Sequence, residues 1–364
     1  MLPNAIEATG SAHQRPVSTT DEVRRLVAVE PVRKVRPIPD ADAIEAVEVR
    51  GWTVVTRKGE LATGDLCLFF EIDACLPLDD PRFEFLAPRG IKTLPSGRVV
   101  HRLKTARLRG TWSQGLALPL EQFPEALTCE TSTDLAESLG VVKWEPLLPP
   151  GSDAIGEFPR HLAARTDSER VQNLADVWSQ VAEAGRWVPT EKLDGTSVTV
   201  GREPDGTVRV ASRSFEVGPG SLHYRLAEET GLLGLVHSHP DAITVQAELV
   251  GPGIQGNPLR LPEVSAGVFD IWADGQLVGR DGWPGLFLFG ASSRVRPAPV
   301  LDLPFPGSPQ AAVEQVDGME SAFAPGRRSE GVVWHLSDGR QLGVLGWRST
   351  FKAISNRYLL KHDG

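Results

Sequence analysis

In the first third of the chain, apolar residues recur in short runs of four or five, with no stretch at helical spacing between them. Residues 26–29, 46–49, 52–55 and 66–70 are rich in valine and aromatic side chains and read as strands. Turn signals separate them: 37–42, Arg50-Gly51, Lys58-Gly59 and Thr63-Gly64-Asp65. Runs at 99–108 and 116–118 extend the series. Five or so short strands within about 100 residues predict a small Greek-key barrel of the OB type.

Beyond residue 128 the pattern changes. Residues 129–160 are acidic early and Pro/Gly-rich late, with one apolar patch at 139–142. The remainder mixes both periods. Helical character is expected at 173–184 and 222–229, and strands at 243–250 and 267–272. A hairpin is expected between 188–200 and 208–212 across Pro204-Asp205-Gly206, and another strand pair at 330–335 and 341–345. The division this gives is a disordered leader at 1–22, a barrel at 23–128, a linker at 129–164 and an α+β domain at 165–364.

Composition narrows the class. The chain has 364 residues, 41% apolar and 23% charged, ordinary for a water-exposed globular protein with two cores. No apolar run approaches the roughly 18 residues that cross a bilayer, and no secretory signal opens the chain. Cys67, Cys75 and Cys129 form an odd set without a C-x-x-C pair, which disfavours a disulfide framework or zinc ribbon and fits a reducing cytoplasm. Net charge is -9, which argues against a protein wrapped wholesale in nucleic acid. One ribbon departs from this balance. Arg89, Lys92, Arg98, Arg102, Lys104, Arg107 and Arg109 run without an intervening acid, a candidate phosphate track.

The candidate chemistry centres on Thr190-Glu191-Lys192-Leu193-Asp194-Gly195. At a strand end, Lys192 and Asp194 project from one face, and Gly195 permits a tight turn. An amine beside a carboxylate suits covalent nucleotidyl transfer. Four further sites follow in order. Ser212-Arg213-Ser214 offers a guanidinium fork for phosphate. Glu248 ends a strand before the Gly/Pro-rich loop 251–256, which allows close backbone approach. Phe269 is placed to stack on a base. Glu330 opens an apolar strand, and Lys352 lies in 350–357. Each residue alone has an ordinary structural role; the ordered set carries the argument. His237 and His239 lack a third metal ligand, His223 reads as structural or as a contributor to a nucleotide pocket, and no P-loop is present.

In that order the set resembles the covalent nucleotidyltransferase superfamily of RNA and DNA ligases and mRNA capping enzymes. The string Glu248-Leu-Val-Gly-Pro-Gly-Ile-Gln-Gly-Asn is most similar to RNA ligases that seal nicks. Gly51-Trp52, Gly64-Asp65-Leu66, Phe70-Glu71-Ile72-Asp73 and 109–116 resemble bacterial RNA ligases with an N-terminal OB module. The resemblance implies an α+β nucleotidyltransferase domain of the ATP-grasp-like ligase type, preceded by an all-β OB-like barrel. It implies ATP with Mg²⁺ or Mn²⁺, and RNA or an RNA-containing nicked duplex as partner. Catalysis would fall to Lys192, Asp194, Glu330 and Lys352. Glu191, Lys192, Arg213, Glu248, Phe269, Glu330 and Lys352 would bind the nucleotide, with Glu248 and Glu330 toward the metal. Partial burial or a divalent ion is expected to lower the Lys192 pKa, since a carboxylate alone would raise it.

One departure stands out. Where many relatives carry a second lysine in the last motif, this chain has Ile354, and Arg357 or Lys361 is expected to substitute. No OB domain follows the last motif, as it does in DNA ligases and capping enzymes, which favours RNA ligase. The rival readings are a DNA ligase or guanylyltransferase, and a catalytically inert nucleic-acid-binding protein.

Overall fold

The computed structural model describes residues 25–144, 153–283, 292–346 and 348–362. The expected leader at 1–22 and the Pro/Gly-rich stretch 147–151 lie outside them.

The N-terminal half is a curled antiparallel barrel, as the strand pattern predicts. Its spine is the 11-residue strand Val27–Pro37. The first half of that strand pairs with Leu66–Phe70 and the second with Ile44–Val49, with a register shift between Val32 and Lys34. An extra residue at such a shift bends a strand, and here the bend lets one strand serve two faces of the curl. The full sheet order is Leu116–Pro119, Leu66–Phe70, Val27–Pro37, Ile44–Val49, Trp52–Arg57. Along Trp52–Arg57 burial alternates, so its apolar set faces one core.

The expected run at 99–108 is two strands. Val99–Arg102 pairs with Ala74–Pro77, whereas Thr105–Leu108 forms a hairpin with Thr111–Gln114. Leu103 and Lys104 carry the chain between them. Residues past 128 remain in this packing. Leu135, Leu139 and Val141 join the core around Phe70, Phe83 and Phe123, and Val142–Lys143 pairs with Ala74 and Cys75.

The C-terminal half is built on two sheets. The larger runs Ala154–Glu157, Phe215–Val217, Val208–Ala211, Thr196–Arg202, Ile243–Val250, Ser265–Ala273, Gln276–Leu277. Helices Leu222–Thr230 and Leu232–Ser238 cover its core. The smaller sheet runs Glu169–Arg170, Thr350–Ile354, Gly331–Leu336, Trp187–Lys192, with helix Pro309–Val316 on its core. Ser308 caps that helix through the Ala311 N–H, and Pro309 takes the first turn, where its missing N–H costs nothing.

Two sequence expectations are corrected. Residues 188–200 do not form one hairpin arm. The run breaks at 193–195, and its halves belong to different sheets: Trp187–Lys192 pairs with Gly331–Leu336, and Thr196–Arg202 pairs with Val208–Ala211. The break is possible because a β-carbon on Gly195 would sit 2.1 Å from the Leu249 carbonyl, where only glycine fits. The strand beside Gly331–Leu336 is Thr350–Ile354, not 341–345, which holds the short 3-10 turn Gly343–Leu345.

The halves are welded together. Ile354 and Leu359 from the C-terminal half are buried in the barrel cluster of Val47, Trp52, Val54 and Phe69. The Trp52 indole donates to Asn173 Oδ1 at 2.8 Å, and the Gly51 N–H donates to the Gln172 carbonyl. Asp73 of the barrel pairs with Arg170 of the C-terminal half at 3.4 Å. Burying two aliphatic side chains of this size stabilises the contact by about 3–6 kcal/mol.

Candidate active site

The seam between the two C-terminal sheets opens into a cavity of about 550 Å³, ample for a nucleoside triphosphate. Lys192 ends its strand at this seam, in register with Gly331. Its Nζ donates to Glu330 Oε2 at 2.6 Å. Glu248 stands opposite Ser197 on the other sheet, and Asp194 follows the break. The Tyr358 hydroxyl donates to Asp194 Oδ2 at 2.6 Å, so the C-terminal helix Asn356–His362 fixes that carboxylate. The crossing at 193–195 therefore brings groups from both sheets to one point.

Three carboxylates share this point with one ammonium, and the excess negative charge shows in the titration. Burial pushes the Glu248 carboxyl up to about 8; Lys192 opposes the shift, and Glu330 and Asp194 reinforce it. Glu330 is likewise raised, first by burial. For Lys192, burial is the largest single influence and pulls downward, yet Glu330, Glu248 and Asp194 together hold the ammonium above its ordinary value. Burial and the carboxylates each act in the expected direction, and the three carboxylates together outweigh desolvation.

A second cluster lining the cavity is cationic. Lys352 in Thr350–Ile354 donates to Asp167 Oδ1 at 3.3 Å, and burial lowers its pKa to about 8. Arg213, in the turn after Val208–Ala211, reaches Asp167 Oδ2 at 3.3 Å. Lys143 lies 3.7 Å from the same oxygen. Phe269 is half-buried on Ser265–Ala273 and lines the cavity. Glu191 also lines it, but its carboxylate accepts the Phe323 N–H at 2.7 Å and is buried.

The structure therefore gathers Lys192, Asp194, Glu248, Glu330, Arg213, Phe269 and Lys352 around one cavity. Asp167, Lys143, Arg348 and Tyr358 join the site without a signal in the sequence reading. Asp167 sits in Arg165-Thr166-Asp167-Ser168, a string with no motif value, and Tyr358 follows the last motif by a helical turn. His223 contributes to the cavity wall and bonds Thr196 at 3.0 Å. His239 is tied to Asp241 in its own turn, at a distance from this chemistry.

Ile354 is buried in the barrel contact, where a lysine would meet an apolar core. The expected substitutes lie outside the cavity lining. Arg357 pairs with Asp317 at 3.2 Å, and neither it nor Lys361 lines the cavity. Besides Lys192, the lysines and arginines among the described residues that do so are Lys143, Arg165, Arg213, Arg348 and Lys352.

The basic ribbon is not one uniform face. Acids from outside the segment take up part of it: Arg98 pairs with Asp79 at 3.1 Å and Arg102 with Asp73 at 2.7 Å. Arg89, Lys92, Arg107 and Arg109 are exposed, Lys104 partly so, and Arg107 lies over the Trp112 ring. Lys92 and Arg102 both lie over Trp144, and Trp144 lines the catalytic cavity. Two members of the ribbon thus pack on a residue that lines the cavity. No described helix is long and apolar enough to cross a membrane.

Comparison with known proteins agrees with this geometry. An OB-fold domain family matches residues 26–120, and the RNA ligase family matches residues 185–354. Solved structures of Naegleria gruberi RNA ligase superpose on nearly the whole chain. An apo mutant is 32% identical with a TM-score of 0.81, covering 94% of this chain and 99% of that one. A mutant with ATP and Mn is 32% identical with a TM-score of 0.83, covering 93% and 99%. A form with PPi is 32% identical with a TM-score of 0.80, covering 94% and 99%. No curated protein matches the chain. Fold and site together define a nucleotidyltransferase domain behind an OB-fold barrel. The chain belongs to the RNA ligase family.

Proposed function

We propose that the protein is an ATP-dependent RNA ligase that joins a 3′-hydroxyl to a 5′-phosphate, preferentially at nicks in RNA-containing duplexes. The observation that carries this is the meeting of Lys192, Asp194, Glu248 and Glu330 at the sheet crossing, beside a cationic cluster on the same cavity. Lys192 Nζ would attack the α-phosphorus of ATP. The bond from that phosphorus to the bridging oxygen breaks, pyrophosphate departs, and AMP stays on nitrogen as a phosphoramidate. An RNA 5′-phosphate oxygen then displaces the lysine, giving an adenylylated end. The 3′-hydroxyl attacks that 5′-phosphorus and expels AMP.

Within this reading Phe269 stacks on adenine and Glu248 holds the ribose. Glu191 is proposed to frame the base pocket. Arg213 and Lys352 neutralise phosphate charge as it builds. The surplus of carboxylates fits a divalent cation. Among the described residues no three or more His, Cys, Asp or Glu groups converge to hold one, so Glu248 and Glu330 would bind it with phosphate oxygens and water. Bound Mg²⁺ or Mn²⁺ would supply phosphate neutralisation and draw Glu330 from Lys192, favouring the neutral amine.

The OB barrel is proposed to hold the nucleic acid through the ribbon from Arg89 to Arg109, with the division between the modules falling within 129–164. The three cysteines are unpaired, which supports a cytoplasmic setting. The test is labelling with ATP or GTP, followed by sealing of nicked duplexes with RNA or DNA on each side. Lys192→Ala is expected to lose protein-bound AMP while keeping its circular dichroism and melting transition. A labelled mutant excludes this lysine as nucleophile, and label from GTP alone turns the reading to a guanylyltransferase.

A further inference from the structure

Asp167 lies at the centre of the densest group of cations on the cavity wall. Its Oδ1 accepts from Lys352 Nζ at 3.3 Å. Its Oδ2 lies 3.3 Å from Arg213 Nη2 and 3.7 Å from Lys143 Nζ. Arg348 adds its charge from the same wall. Together these cations hold the Asp167 carboxyl far below its ordinary range, although burial alone, the largest single influence, would raise it. Lys352 belongs to a sheet strand, Arg213 to a turn of the other sheet, Arg348 to the approach to the strand, and Lys143 to a strand of the N-terminal barrel. Three long side chains from separate elements are gathered round one small anion, with Arg348 adding its charge from farther off. Isolated surface pairs hold weakly, and ordering three of them on one carboxylate needs a reason beyond local folding. A carboxylate and a phosphate oxygen compete for the same donors.

We propose that Asp167 is an internal counter-anion that occupies the pyrophosphate site between turnovers, and that Lys143 brings the N-terminal barrel into that site. The proposal rests on the reading of the cavity as an ATP site. When the triphosphate enters, Lys352, Arg213 and Lys143 turn from Asp167 to its phosphates. When the α-phosphorus transfers to Lys192 and pyrophosphate leaves, Asp167 takes these cations back and disfavours re-entry of the leaving group. Asp167 touches no reacting atom and is a positioning residue.

The measurement is the pyrophosphate concentration that half-discharges preformed lysyl-AMP in the full-length protein. In that reverse step pyrophosphate attacks the α-phosphorus, the lysine leaves as an amine, and ATP is released. Asp167→Asn keeps the shape and removes the charge. It is expected to lower the concentration roughly tenfold, the scale of one charge-assisted contact. Asp167→Glu is expected to return it toward the wild-type value, and Lys143→Met to raise it several-fold. A merely structural role reduces the yield of labelled protein and leaves the half-discharge concentration unmoved; that result, or a rise in Asp167→Asn, overturns the proposal. If Asp167→Asn does not fold, the Lys143→Met shift decides alone. Wild-type protein that takes no label from ATP removes the ligase reading and this inference with it, so the two failures are distinguishable.

Discussion

Glu248 carries the clearest electrostatic signature at the scale of single residues. Folded, it keeps its proton up to about pH 8, whereas the ordinary carboxyl loses it near 4.5. A folded-state pKa above the unfolded one means that stability from this group is complete below about pH 4.5 and is lost as pH rises toward about 8. Thermal melts of the nucleotide-free protein are expected to fall across that window. Glu248→Gln, which cannot ionise, should flatten the decline; an equally steep decline in the mutant assigns it elsewhere. Lys352 shows the converse. Burial first, with Arg170, Lys192 and Arg213 adding to it, brings its pKa down to about 8, while Asp167 opposes. The site thus sets a surplus of carboxylate beside a cluster of cations on one cavity. Of these residues, the sequence announces Lys192, Asp194, Glu248, Glu330 and Lys352 through motif spacing. Asp167 and Lys143 have no spacing to announce them, because each matters only through neighbours far away in the chain.

Among elements, the break at 193–195 does most to form the site. Residues 188–200 read as one hairpin arm because β-type residues flank the run on both sides, although Asp194-Gly195 already marks a turn within it. The fold needs two, in different sheets, with the nucleophile at the crossing. Gly195 makes the crossing possible by letting the backbone approach Leu249. Gly195→Ala is expected to cost about 3 kcal/mol or more through overpacking against backbone that cannot yield. Urea unfolding would show it, and an unchanged midpoint would mean that the crossing tolerates a side chain. Helix 309–316 illustrates a missed but available signal: Ser308-Pro309 is an N-cap followed by proline at the first turn. Between 341–345 and 350–354, both apolar in part, only pairing with Gly331–Leu336 decides which is the neighbouring strand.

The whole molecule is held as one by Ile354, Leu359, Trp52 and the Asp73–Arg170 pair. Removing residues 1–128 is expected to impair sealing more than ATP binding, because the ribbon leaves with the barrel. It should also lower the melting temperature, because Ile354 and Leu359 would then face water. Sealing at the wild-type rate by the truncated protein removes any role for the barrel in catalysis. The ribbon itself shows the limit of charge reading. Within the segment there is no acid, but folding delivers Asp73 and Asp79 to Arg102 and Arg98, so a run of like charges on paper becomes a mixture of ion pairs and exposed cations.

The sequence alone determined the barrel of short strands, the α+β half behind it, and the five motif residues, because strand alternation and motif spacing are local properties of the chain. Tertiary structure decided where the strand run divides, which strand flanks Gly331–Leu336, and why Ile354 is apolar. It also placed Lys143 of the barrel beside Asp167 and Lys352. Such outcomes depend on contacts between segments more than a hundred residues apart, and neither periodicity nor composition encodes which distant partner a side chain will meet.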